Sequence, residues 1–222
     1  MRTKGQVDRR SFLKASVAFT CGLGAALPAT FHLAHAAANP EDEQPNVFGP
    51  RAGYSPQIGT LVSMLNWMRG PVLSSVRGLT VSQLDYLHDA KANTIGALLL
   101  HLAATERFYQ VHTFEEKKWG DWDAETAKRW SVPSGLGAAA RKTIKGNGLD
   151  YYLKALSEVR AQTLSELQNR DDAWLMKVDP VWFWGPTNNY CKWFHVCEHE
   201  SNHNGQIKWI KGRLPGLAKN QD

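Results

Sequence analysis

Residues 188–214 read NNYCKWFHVCEHESNHNGQIKWIKGRL and stop before Pro215-Gly216. The stretch reads as one long helix that ends where a proline and a glycine stop it. His195, His199 and His203 recur along it at i, i+4 and i+8. Over eight residues a helix rises roughly 12 Å, whereas a zinc–imidazole bond is only about 2.0–2.1 Å. A straight helix therefore offers one ion two of the three, either His195 with His199 or His199 with His203. Any further ligand has to come from another element facing this helix.

Two peptidase signatures overlap here, H-x-x-E-H over 195–199 and H-E-x-x-H over 199–203. Such peptidases usually take a third ligand C-terminal to the motif, and after His203 only Asp222 could serve. Gly205 also falls one position early for the longer H-x-x-G-x-x-H extension. No stretch alternates with period two between hairpin turns, so the sheet that would hold a peptide has no support. Peptidase is the weakest reading of the motif.

Three other segments have helical periodicity. Ser55-Pro56 starts the first, with Ile58, Leu61, Val62, Leu65 and Met68 on one face, running to about Val76; Pro71 should kink it. A second spans about Ala90–Glu115, and a third carries Leu149, Tyr152, Leu156, Val159 and Leu167. The tryptophan- and glycine-rich stretch 117–148 is a long connection with room for one short helix. The expected architecture is all-α, a four-helix bundle with one long crossover between helices two and three.

The N-terminus carries a separate signal. Arg9-Arg10-Ser11-Phe12-Leu13-Lys14, a moderately apolar run over 15–33 and Ala34-His35-Ala36 form a twin-arginine export signal with a small-residue cleavage site. The expected organisation is a signal at 1–36, an extended leader at 37–54, the bundle at 55–216 and a tail at 217–222. Arg2, Lys4, Arg9, Arg10 and Lys14 against Asp8 account for most of the formal +5 charge, so the mature chain is near neutral. That removes the main support for a nucleic-acid partner. Cys21 lies in the signal. Cys191 and Cys197 fall on different faces of one helix, roughly 9 Å apart along its axis, too far for a disulfide.

The third ligand must then come from upstream. The first helix has no metal-ligating side chain, and the third has acids but no histidine. His112 lies at the far end of the second helix and His88 before it. His101 sits mid-helix with Ala97, Leu98, Ala104 and Thr105 on its face, an inward face with room around the imidazole. Glu200, beside His199, is the candidate general base, although one residue on a helix turns it about 100° away. Glu106 points off the histidine face and reads as a tie between helices. Trp182, Trp184, Tyr190 and Trp193 either wall a pocket or close the bundle end.

Two segments resemble the DinB-like superfamily of four-helix-bundle metalloproteins. One is Gly78-Leu79-Thr80 through the run His101-Leu102-Ala103-Ala104-Thr105-Glu106-Arg107-Phe108-Tyr109, similar to the family's H-L-A-x-x-E-R-aromatic pattern; the other is His199-x-x-x-His203-Asn204-Gly205-Gln206-Ile207, similar to its H-x-x-x-H-x-G-Q block. The resemblance implies an up-down-down-up bundle with a divalent metal (Zn, Ni or Fe) on His101, His199 and His203, and leaves His195 beside the site. It implies a metal-dependent enzyme acting on a small molecule by hydrolysis or group transfer, the alternative being a non-catalytic metal- or ligand-binding bundle. The chain departs from the family in its export signal and tryptophan-rich crossover, which speaks against a cytosolic thiol co-substrate. The expected location is periplasmic. The expected partners are a small molecule and, during export, the twin-arginine translocase, with a homodimer left open and no stable membrane anchor after cleavage.

Overall fold

The computed structural model describes residues 46–118 and 120–216. The segment read as an export signal, the expected leader up to residue 45, Trp119 and the expected tail lie outside the described residues. Four long helices make the bundle: α1 (Pro56–Val76), α3 (Ile95–Thr113), α6 (Leu149–Gln168) and α8 (Asn189–Lys211). Short helices α2 (Val81–Leu84) and α7 (Asp172–Met176) flank them. The crossover holds two helices rather than one, α4 (Ala124–Gly135) and α5 (Gly137–Thr143). Strands β1 (Val178–Asp179) and β2 (Thr187–Asn188) pair antiparallel, Val178 opposite Asn188, and lead into α8.

Local chemistry sets the boundaries. Thr94, Asp123 and Asn188 each accept a backbone N–H through the side chain at the start of α3, α4 and α8. Ser55 stands at the N-cap of α1, yet its side chain does not cap. Asp172 of α7 does so instead, its Oδ1 accepting from Gln57 N, Ile58 N and Ser55 Oγ. The helix continues through Pro71.

Interhelical bonds give the directions. His101 meets His199, Tyr109 meets His195 and Thr113 meets Trp193, so α3 and α8 are antiparallel. Arg69 meets Glu200 and Ser75 meets Asn204, so α1 and α8 run the same way. Arg160 donates to Leu65 O and Arg69 to Leu156 O, which sets α6 against α1. The chain therefore runs up, down, down, up. Gly96 lets α3 close on α6, since a Cβ there would come 2.6 Å from Tyr152 Oη.

The core is divided. Ile58, Leu61, Leu65, Tyr109, Leu167 and Trp193 belong to one apolar cluster. Val72, Val76, Leu98, Ala103, Tyr152, Leu156 and Ile207 belong to the other. Between them, one charged residue from each long helix closes a buried network: Arg69, Glu106, Arg160 and Glu200. Arg160 Nε lies 2.7 Å from Glu106 Oε1 and its Nη2 2.9 Å from Glu200 Oε1. Arg69 Nη2 lies 2.8 Å from Glu106 Oε2 and 2.6 Å from Glu200 Oε1. Two guanidiniums balance two carboxylates, which makes the burial tolerable and fixes the helices' mutual register.

Candidate metal centre

Two facing stripes at four-residue spacing build the site. On α3 they are His101, Thr105 and Tyr109; on α8, running the other way, His203, His199 and His195. His199 Nε2 lies 2.9 Å from His101 Nε2 and 3.1 Å from His203 Nε2. One nitrogen from each of the three lies within 4.8 Å of the others. His101 and His203 are buried and His199 is half-buried.

The outer partners settle which nitrogens carry protons. Pro133 O is 2.8 Å from His101 Nδ1, and a carbonyl only accepts, so Nδ1 bears the hydrogen. Gln206 Oε1, 3.1 Å from His203 Nδ1, does the same there. Both Nε2 atoms therefore turn lone pairs toward His199 Nε2. A proton on that atom could serve one of them and would leave the other lone pair opposed. Three convergent imidazole nitrogens, two of them on rings hydrogen-bonded at the far side, are a donor set suited to a divalent cation.

Electrostatics agree with ligation. Burial lowers His101 to about 4, against the Pro133 carbonyl, and His199 to about 3, with help from His203 and His101. Burial also lowers His203, opposed by Gln206. All three are neutral near pH 7, the form that binds metal.

His195 stays outside this cluster. Its ring is 5.3 Å from that of His199, and its Nδ1 is 2.8 Å from Tyr109 Oη. Glu200, expected as general base, is drawn into the charged network: its Oε1 accepts from both arginines, and no hydrogen bond or ion pair joins it to a described histidine. The turn of about 100° between neighbours on a helix separates it from His199. The aromatic group splits. Trp182 and Trp193 are buried and close the bundle end, while the half-exposed Trp184 stands edge-on to His195 with centroids 5.0 Å apart.

Sequence reasoning missed the contribution of the crossover. The carboxyl end of α4 aims the Pro133 carbonyl at His101, just before Leu136 breaks the helix at φ +50. The Gly135-Leu136-Gly137 stop was the available signal. Gln206 was quoted only as part of a motif, and here it orients a histidine. Losing such an outer partner weakens metal binding by roughly 10- to 100-fold. Gln206→Leu is expected to do so in a competition titration with a chelating dye, with helical content unchanged; an affinity within two-fold of wild type would count against the tautomer argument.

A four-helix bundle with one histidine from its second long helix and two from its fourth defines the DinB-like class. Within it, residues 60–216 match the family model described as Mycothiol-S-transferase, and the chain belongs to that family of metal-dependent, transferase-type enzymes. A crystal structure described as the conserved protein of a locus from Enterococcus faecalis has the same fold, with a TM-score of 0.54. The match covers 70% of this chain and 95% of that one at 14% identity, which speaks for the fold alone. None of the curated proteins matches the chain.

Proposed function

We propose that this chain is an exported metal-dependent transferase that joins a small electrophilic molecule to a thiol, with His101, His199 and His203 holding Zn, Ni or Fe. The observation that carries the reading is the convergence of three imidazole nitrogens on the α3–α8 seam, two of them turning lone pairs toward the third. A metal bound there would supply Lewis-acid polarisation of a substrate oxygen or sulfur. The chain's own residues do the rest. Pro133 and Gln206 hold the ligand rings in one tautomer. Thr105 Oγ1, 3.3 Å from His199 Nε2 and only partly buried, can hydrogen-bond a small molecule beside the ligands. Trp184, edge-on to His195, adds aromatic surface beside the ring that neighbours His199. The twin-arginine segment, which carries folded proteins, suits a metalloprotein loaded before export.

The test offers metal-loaded full-length protein an activated aryl chloride with a panel of low-molecular-weight thiols. Expected is thioether formation that consumes thiol and releases chloride, and that His199→Ala abolishes. Product formation that ignores the thiol would point to hydrolysis instead. A loaded protein inert with every thiol would favour a metal-binding bundle.

A further inference from the structure

Next to the three candidate ligands, the facing stripes of α3 and α8 continue with a pair whose hydrogen is fixed. Tyr109 is 2% exposed, and its Oη lies 2.8 Å from His195 Nδ1. Burial pushes the phenol up from its ordinary value, so it keeps its hydrogen. A buried hydroxyl that donates to nothing bears the full cost of its desolvation, and His195 Nδ1 is the acceptor set before this one. The tyrosine therefore donates and the imidazole accepts. Burial also holds His195 below its ordinary value, so near pH 7 the ring carries one hydrogen, and that hydrogen is left to Nε2. No hydrogen bond among the described residues engages His195 Nε2.

His195 is thus set the opposite way from its neighbours. His101 and His203 carry hydrogen on Nδ1 and offer Nε2 as an acceptor. His195 offers Nε2 as a donor, which unsuits that atom for ligation and suits it for holding a substrate. Its position agrees. His101, His203 and Tyr109 are buried, whereas Thr105, His195 and His199 are each half-buried, so these three form the open side of the centre. His195 stands one turn of α8 from His199, about 6 Å along the axis, with ring centroids 5.3 Å apart. The two nitrogens of an imidazole point to roughly opposite sides of the ring. A ring anchored at Nδ1 to a buried phenol therefore turns Nε2 away from the core.

We infer that His195 is the specificity-determining donor of the site: its Nε2–H holds an oxygen of the electrophile, so the site takes electrophiles with an acceptor oxygen conjugated to the reacting carbon, nitroaryl halides being the simplest. The substrate class rests on the transferase reading; the donor geometry does not. When the thiol sulfur bonds to the carbon bearing chlorine, an electron pair moves onto the nitro oxygen. It returns as the carbon–chlorine bond breaks and chloride leaves with its pair, and the thiol proton goes to solvent. His195 keeps its own hydrogen throughout, since Tyr109 holds Nδ1 as an acceptor. A donor placed where charge develops favours the transition state over the ground state.

Two measurements on full-length, zinc-loaded protein test this. In proton–nitrogen correlation spectra, wild-type His195 is expected in the Nε2–H form. Nitrobenzene should shift its Nε2 signal, and isopropylbenzene, of similar shape without the oxygens, should not. Tyr109→Phe should release part of the ring to the Nδ1–H form. In the thioether assay with a nitro-activated aryl chloride, His195→Phe is expected to lower kcat/KM roughly 10- to 100-fold, chiefly through kcat. His195→Gln, whose amide nitrogen can stand where Nε2 stood, should restore most of the loss. With benzyl chloride, which has no acceptor oxygen, the two variants should not differ from each other. An Nδ1–H form in the wild type overturns the inference. So does an equal fall for both variants, or an advantage of Gln over Phe that is as large with benzyl chloride; either would make His195 a packing ring. Protein that joins neither chloride to a thiol sinks the transferase reading instead. The donor role is then decided by nitrobenzene, whose shift of wild-type Nε2 supports it and whose failure to shift it overturns it.

Discussion

Arg160→Met is expected to destabilise the folded bundle by about 3–5 kcal/mol, the range for removing one partner from a buried ion pair. The guanidinium is 8% exposed and touches both carboxylates, so its loss leaves Glu106 and Glu200 facing each other with Arg69 alone between them. Leu65 O would lose its donor as well. Urea unfolding followed by circular dichroism measures the effect; a loss below about 1 kcal/mol would show that the network is solvated and unimportant to the fold. The same network bears on acid stability. Burial alone would raise the Glu106 carboxyl, but Arg160 and Arg69 beside it bring it from 4.5 down to about 2. A carboxyl with a folded value below its unfolded one contributes fully above the unfolded value and loses that contribution as pH falls toward the folded one. Wild type should therefore shed this part of its stability between about pH 4.5 and 2, and Glu106→Gln should flatten the profile over that window.

His199→Ala is expected to lower metal affinity by at least about 100-fold, beyond the range for an outer partner such as Gln206. His199 is the imidazole that bridges the other two, at 2.9 and 3.1 Å, so its loss leaves only His101 and His203, with no hydrogen bond between them. His195→Ala serves as the comparison: it removes an imidazole of the same helix that the structure gives to Tyr109. If His195→Ala proved the more damaging of the two, the metal would belong to the other histidine pair on α8. The substitution has an expected side effect on the metal-free protein. Removing His199 relieves opposed lone pairs, so its stability without metal should not fall and could rise, as happens where a reactive site is held at the expense of the fold.

Much of this was legible in the residues. The four long helices follow from apolar spacing, and the limits of the fourth from Asn188 and the proline and glycine after Leu214; the second begins at Ile95, where Thr94 caps it, rather than near Ala90. The choice of His101 came from its small neighbours, and the histidines' i+4 spacing limited the partners on α8. Other features depended on contacts between residues far apart in the chain. Arg69 and Arg160 are buried because four helices bring their charges to one level, which no local pattern around either residue announces. Glu200 shows the same limit: its neighbour in sequence suggested chemistry, while the arginines that hold it come from α1 and α6. The Pro133 carbonyl is backbone and leaves no trace in residue type. The capping of α1 by Asp172 spans more than a hundred residues and could not be read locally.

The central claim is that a histidine on α3 and two on α8 form one metal centre. Elemental analysis of full-length wild type and His101→Ala, purified side by side without added chelator, tests it most directly. The account predicts about one divalent ion per wild-type chain, as a single three-histidine site would hold, and little metal in the variant, with both proteins equally helical. Equal metal content in the two would contradict it.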